Sequence, residues 1–149
     1  MGIHTHARYT DAEALAAAIA GGLSEVIWKD ASERALIDLN RTTTLDWTDL
    51  DLTASTSANA KFAVLKCLIH IDSITAGSAN YAWLELRKNG TTPTYRAGIT
   101  VDGGWIIAGS YFVSEVIVGL DAGQIVEYKL TAAGTVQFDS YIDVLGYIE

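Results

Sequence analysis

The stretch Phe62-Ala63-Val64-Leu65-Lys66-Cys67-Leu68-Ile69-His70-Ile71-Asp72 decides the fold class. In an extended chain successive side chains point to opposite faces, so residues two apart share one. Ala63, Leu65, Cys67, Ile69 and Ile71 form a wholly apolar face. Phe62, Val64, Lys66, Leu68 and His70 form the other, which is mostly apolar. A period of two held this long is a β-strand. The inner face belongs to a core, and the outer one asks for cover of its own.

Working outward, the same period recurs at 25–29, 34–39, 47–53, 81–88, 95–101, 105–108, 111–120, 124–131 and 136–147. Asn89-Gly90, Asp102-Gly103-Gly104 and Asp121-Ala122-Gly123 are tight-turn signals between them. In the last segment Val136, Phe138, Ile142 and Val144 mark the inward face. Nine or so short strands, with no helical pattern separating them, predict an antiparallel β-sandwich of jelly-roll type over 24–149. They exclude a doubly wound parallel sheet.

Residues 1–23 read differently. Thr10 and Glu13 have capping-box spacing, and Asp11 adds negative charge to the first helical turn. Alanines follow, and Gly21-Gly22 ends the segment. Ala12, Leu15 and Ile19 make a short a/d seam. So short a helix is marginal alone in water and needs partners, for which copies of itself suffice. The expectation is a linker and helical coiled-coil neck before the sandwich.

Composition bounds the function. The chain has 149 residues, one domain's worth, of which 50% are hydrophobic and only 19% charged. That is apolar for a monomer of this size and fits burial between subunits. No run reaches the roughly 18 apolar residues of a spanning helix, so membrane insertion is not expected. A net charge of −8 with no basic stripe argues against nucleic acid. The opening residues lack the apolar core of a signal peptide. Cys67 is expected to be a buried, inert hydrophobe.

Chemistry is scarce. No GxSxG, HExxH, P-loop or dinucleotide motif occurs. Asp49 with Asp51, and Asp139 with Asp143, have the look of a glycosidase pair, but polar residues at this spacing are what the solvent side of a strand carries. No nucleophile–base set or metal cluster is expected within the β region, and the protein is expected not to be an enzyme. In His4-Thr5-His6 the two imidazoles share a face, so three copies on a threefold axis would supply an octahedral transition-metal site. The alternative is a solvated pair without a ligand. No other cofactor is implied. The tryptophans and tyrosines line either the core or a sugar-binding surface, and Tyr95, Trp105 and Tyr111, near turns, are the candidates for a glycan or receptor.

Two segments carry a family resemblance. His4-Thr5-His6-Ala7-Arg8-Tyr9-Thr10-Asp11-Ala12-Glu13-Ala14 resembles a linker that precedes the C-terminal head in tailed-bacteriophage fibre and tail proteins. Gly119-Leu120-Asp121-Ala122-Gly123-Gln124-Ile125-Val126-Glu127-Tyr128 and Val144-Leu145-Gly146-Tyr147 are similar to the last strands of small β-sandwich heads in phage virion proteins. Together they touch under a third of the chain. The resemblance implies a homotrimer in the virion, joined to the rest of the particle or fibre, that binds a host-surface glycan or decorates the shell. It also implies metal at His4 and His6, although metal-threaded fibres have several such triplets and this chain has one. The rival expectation is a lectin or carbohydrate-active jelly-roll domain.

Overall fold

The computed structural model describes residues 25–149 apart from 78, 93–96, 103, 105 and 106. The neck residues Ala12, Leu15 and Ile19, the pair His4 and His6, and the aromatics Tyr95 and Trp105 lie outside the described residues. No helix occurs among those described. Eight strands do: β1 Val26–Arg41, β2 Leu45–Asp51, β3 Phe62–Ile74, β4 Tyr81–Lys88, β5 Ala97–Asp102, β6 Tyr111–Gly119, β7 Ile125–Ala133 and β8 Val136–Ile148.

They form two four-stranded sheets, in the orders β1-β8-β3-β6 (sheet A) and β2-β7-β4-β5 (sheet B). All ladders are antiparallel. The pairs β1·β8, β2·β7, β3·β6 and β4·β5 nest inside one another, as in one long hairpin whose tip joins β4 to β5. Folding that hairpin over adds the ladders β3·β8 and β4·β7 and splits it into two layers. This is the strand order of a jelly-roll sandwich.

The core lies between the sheets. Ala63, Leu65, Cys67, Ile69 and Ile71, the inward side of β3, are fully buried. They meet Phe138, Ile142 and Val144 of β8 in the same sheet, with Leu84, Leu86, Val126 and Leu130 in the facing one. Each of the Val, Leu, Ile and Phe side chains among them contributes about 1.5–3 kcal/mol by leaving water. Gly98, at φ 146°, lets β5 approach β4, because a Cβ there would sit 1.8 Å from the Leu84 carbonyl oxygen.

The turn chemistry is local. Asp121 Oδ1 accepts from the Gly123 and Ile125 backbone N–H groups, at 2.9 and 2.8 Å, which folds the β6–β7 connection. Gln124 takes the left-handed conformation there, φ 57°.

Two details depart from the sequence expectation. Segments 25–29 and 34–39 are one strand, β1, whose ladder to β8 shifts register between Trp28 and Glu33 and twice more beyond. The strand expected at 105–108 does not form at its described end. There the Ser110 N–H bonds the Ile107 carbonyl at 3.3 Å and Gly109 takes φ 84°, which makes a turn. Eight strands are therefore present among the described residues rather than nine.

Candidate functional site

Because the odd residues of β3 point into the core, its even residues face outward on sheet A. The ladders extend this face sideways. Val64 lies opposite Ile117, Lys66 opposite Glu115, Leu68 opposite Val113 and His70 opposite Tyr111 on β6. On the other side Lys66 lies opposite Asp143, Leu68 opposite Tyr141 and His70 opposite Asp139 on β8.

Much of this face is apolar and open. Tyr111, Ile117 and Val113 are 66%, 61% and 55% exposed, and Trp28, Ile37 and Leu39 on β1 are exposed as well. With Phe62 these are the exposed large hydrophobics of the described strands, and every one belongs to sheet A. Exposed apolar side chains gathered on one sheet in this way mark an interaction site more often than singly scattered ones do.

Besides Lys66 and the exposed Glu115, charge gathers in two places on the face. Arg34 pairs with Asp143 while its guanidinium lies 4.6 Å from the centre of the Tyr141 ring. The second place is a cluster of His70, Asp72 and Asp139 whose donor atoms all lie within 4.8 Å of one another. This corrects the expectation that the β region holds no metal-ligand cluster. The β3·β8 register brings His70 opposite Asp139. A register shift between Ile71 and Ser73 makes Asp72 the extra residue of a bulge, a device that re-aims side chains.

His70 Nδ1 is 3.2 Å from Asp72 Oδ1 and 3.7 Å from Asp139 Oδ2. The Tyr111 ring stacks on the imidazole at 4.2 Å with a 20° interplanar angle. Asp139 is held in turn: the Asn40 backbone N–H donates to Oδ1 at 2.8 Å and the Tyr141 hydroxyl to Oδ2 at 3.3 Å. Asn40 sits in the left-handed region, φ 57°, and the Gln137 amide secures its side chain at 2.8 Å. Asp72 Oδ2 is buried and has no hydrogen-bond partner among the described residues. Burial, followed by the neighbouring Asp139 charge, raises the Asp72 carboxyl above the ordinary carboxylate range. Burial first and then Asp139 also raise the Tyr141 phenol.

Of the residues singled out from sequence, Tyr111 is therefore an exposed member of this face, set on His70. The carboxylate pairs fall apart. Asp49 and Asp51 are exposed on β2 at the edge of sheet B, and Asp51 Oδ1 accepts the Thr53 N–H at 2.8 Å in a local turn. Asp139 and Asp143 share a strand but serve different partners, His70 and Arg34. Sequence reasoning missed the cluster because His70 and Asp139 are far apart in the chain. The available signal was His70-x-Asp72 on one strand face.

No family model matches the chain. No curated protein matches it in sequence. Among solved structures it is similar to the PRD1 vertex protein P5, with a TM-score of 0.46 and 10% identity over 76% of this chain and 96% of that one.

Proposed function

We propose that this chain is a non-catalytic structural module of a phage-like virion, trimeric, which attaches the particle to a host surface or decorates it. The observation that supports the assembly part is the outward side of sheet A, where, among the described residues, Val113, Ile117 and Ile37 are exposed. A soluble domain that leaves so much apolar area on one sheet is built to be covered. The virion part rests on the likeness of residues 4–14 to phage fibre linkers. In this reading Ala12, Leu15 and Ile19 form the neck of the trimer, and Tyr111, with Tyr95 and Trp105, offers rings to a glycan.

Light scattering tests the reading directly. A homotrimer of 16.0 kDa chains has a mass of about 48 kDa, and a single chain mass at micromolar concentration would sink it. Leu15→Asp should lower the thermal stability of the trimer while leaving the far-UV β signal intact, since the sandwich has its own core. Unchanged trimer stability would remove the neck from the proposal. Turnover on a polysaccharide that is abolished by Asp49→Asn would overturn the non-catalytic part.

A further inference from the structure

The His70, Asp72 and Asp139 cluster is used by nothing in the assembly reading, and its chemistry is specific. We propose that it binds a divalent first-row transition ion of the Zn2+ type, through three protein ligands on the outward side of sheet A.

The geometry suits this ion. Donors about 2.1 Å from a tetrahedral Zn2+ lie about 3.4 Å from one another. The separations from His70 Nδ1, 3.2 Å to Asp72 and 3.7 Å to Asp139, bracket that spacing. An imidazole with two carboxylates is a donor set that selects Zn2+ over Mg2+ or Ca2+, which prefer all-oxygen shells. A neutral imidazole and two carboxylates carry two negative charges, which a divalent ion cancels.

Two further observations point to a ligand. Among the described residues the buried Asp72 Oδ2 has no hydrogen-bond partner, and an unsatisfied buried oxygen of this kind costs stability unless something occupies it. The supporting shell is also in place. Asn40 and Tyr141 orient Asp139, and Tyr111 covers one face of the imidazole. Metal-ligating carboxylates are characteristically held this way. Three protein ligands leave a coordination position for water or a docking group. All three ligands come from one chain, so the failure of this site would leave the assembly reading untouched.

The test separates this site from His4 and His6. The His4→Ala/His6→Ala double variant, stripped with chelator and dialysed against Zn2+, should retain one zinc per chain by elemental analysis. Adding Asp72→Asn or His70→Gln to that variant should weaken zinc binding at least about tenfold, with the far-UV spectrum unchanged. A readout free of mutation is the imidazole nitrogen spectrum of the full chain, in which Zn2+ should shift the His70 Nδ1 resonance. Zinc that is lost with His4 and His6, zinc kept by the Asp72→Asn variant, or a His70 Nδ1 signal unmoved at saturating Zn2+ would each overturn the proposal.

Discussion

The two sheets share one core but treat their outward faces differently. On sheet B the outward aromatics are covered from within the chain. Arg87 makes a two-pronged pair with Glu127, at 2.8 and 3.0 Å, and lays its guanidinium 4.0 Å from the centre of the Trp47 ring. Lys129 reaches Asp46 at 3.1 Å, and Tyr81 stacks on Trp83 at 5.0 Å. On sheet A, Arg34 pairs with Asp143 and two carboxylates gather around His70, while Val113, Ile117 and Ile37 are exposed. The Arg87 and Lys129 partners on sheet B sit below the ordinary carboxylate range, whereas Asp72 on sheet A sits above it. Sheet B is finished as a solvent face, whereas sheet A leaves large apolar side chains exposed.

The sharpest test of inside against outside is Cys67. It is fully buried on the central strand β3, and burial pushes its thiol up to about 12. Labelling must then wait for the sandwich to open. An opening free energy within the usual 5–15 kcal/mol slows the reaction at least about a thousandfold against an unfolded control. Rapid labelling of the native protein by a thiol reagent would mean that the faces of β3 are reversed.

Phe138 gives the next largest effect. It is among the largest fully buried side chains and packs on the inner side of sheet A. Phe138→Ala should cost about 3–5 kcal/mol in urea unfolding. Val113→Ala, on the outer side of the same sheet, should stay within about 0.5 kcal/mol. Equal losses would erase the distinction between the two faces.

How legible this was in the sequence follows from what each element rests on. The strand β3 was plain because alternation alone specifies it, and the buried set Ala63, Leu65, Cys67, Ile69 and Ile71 is the one the pattern names. The inward side of β8 followed for the same reason. The strand β1 read as two pieces because its bulges interrupt the period without ending the ladder. The expected strand at 105–108 failed at Ile107 because Gly109 and a local hydrogen bond turn the chain. The His70 cluster was invisible because it depends on pairing register, and register joins residues that no local motif connects. The imbalance between the sheets was hidden too, since Trp47 and Ile117 look equally apolar until Arg87 is seen over only one of them.

On sheet B the expected effect is smaller and depends on pH. The Arg87 hydrogen bonds hold the Glu127 carboxyl below its ordinary value, helped by the Gly90 N–H. A folded value below the unfolded one, about 4.3, adds stability that is fully present above that pH. The contribution is lost as pH falls through the folded value. Glu127→Gln should therefore cost up to about 1 kcal/mol at neutral pH and progressively less below pH ~4. Urea midpoints for the two proteins that stay equally far apart at every pH would show that the ion pair does not carry the stability of this face.

The smallest effect on the fold is expected where the effect on assembly is largest. Ile117 is 61% exposed on the outward side of β6, opposite Val64. In an isolated chain, Ile117→Glu keeps its carboxylate in water and should change unfolding by no more than about 0.5 kcal/mol. In an assembly that covers this face, the same carboxylate is buried without a partner, and each copy bears that desolvation cost. The particle mass should then fall toward one chain. Thr100→Glu on β5 is the matched control, because it faces outward beside Trp83 on sheet B and is exposed. It should leave the mass unchanged. A mass that survives both substitutions would shift the burden of association from sheet A to Ala12, Leu15 and Ile19. A mass lost with both would mean that the two outward faces meet in the assembly.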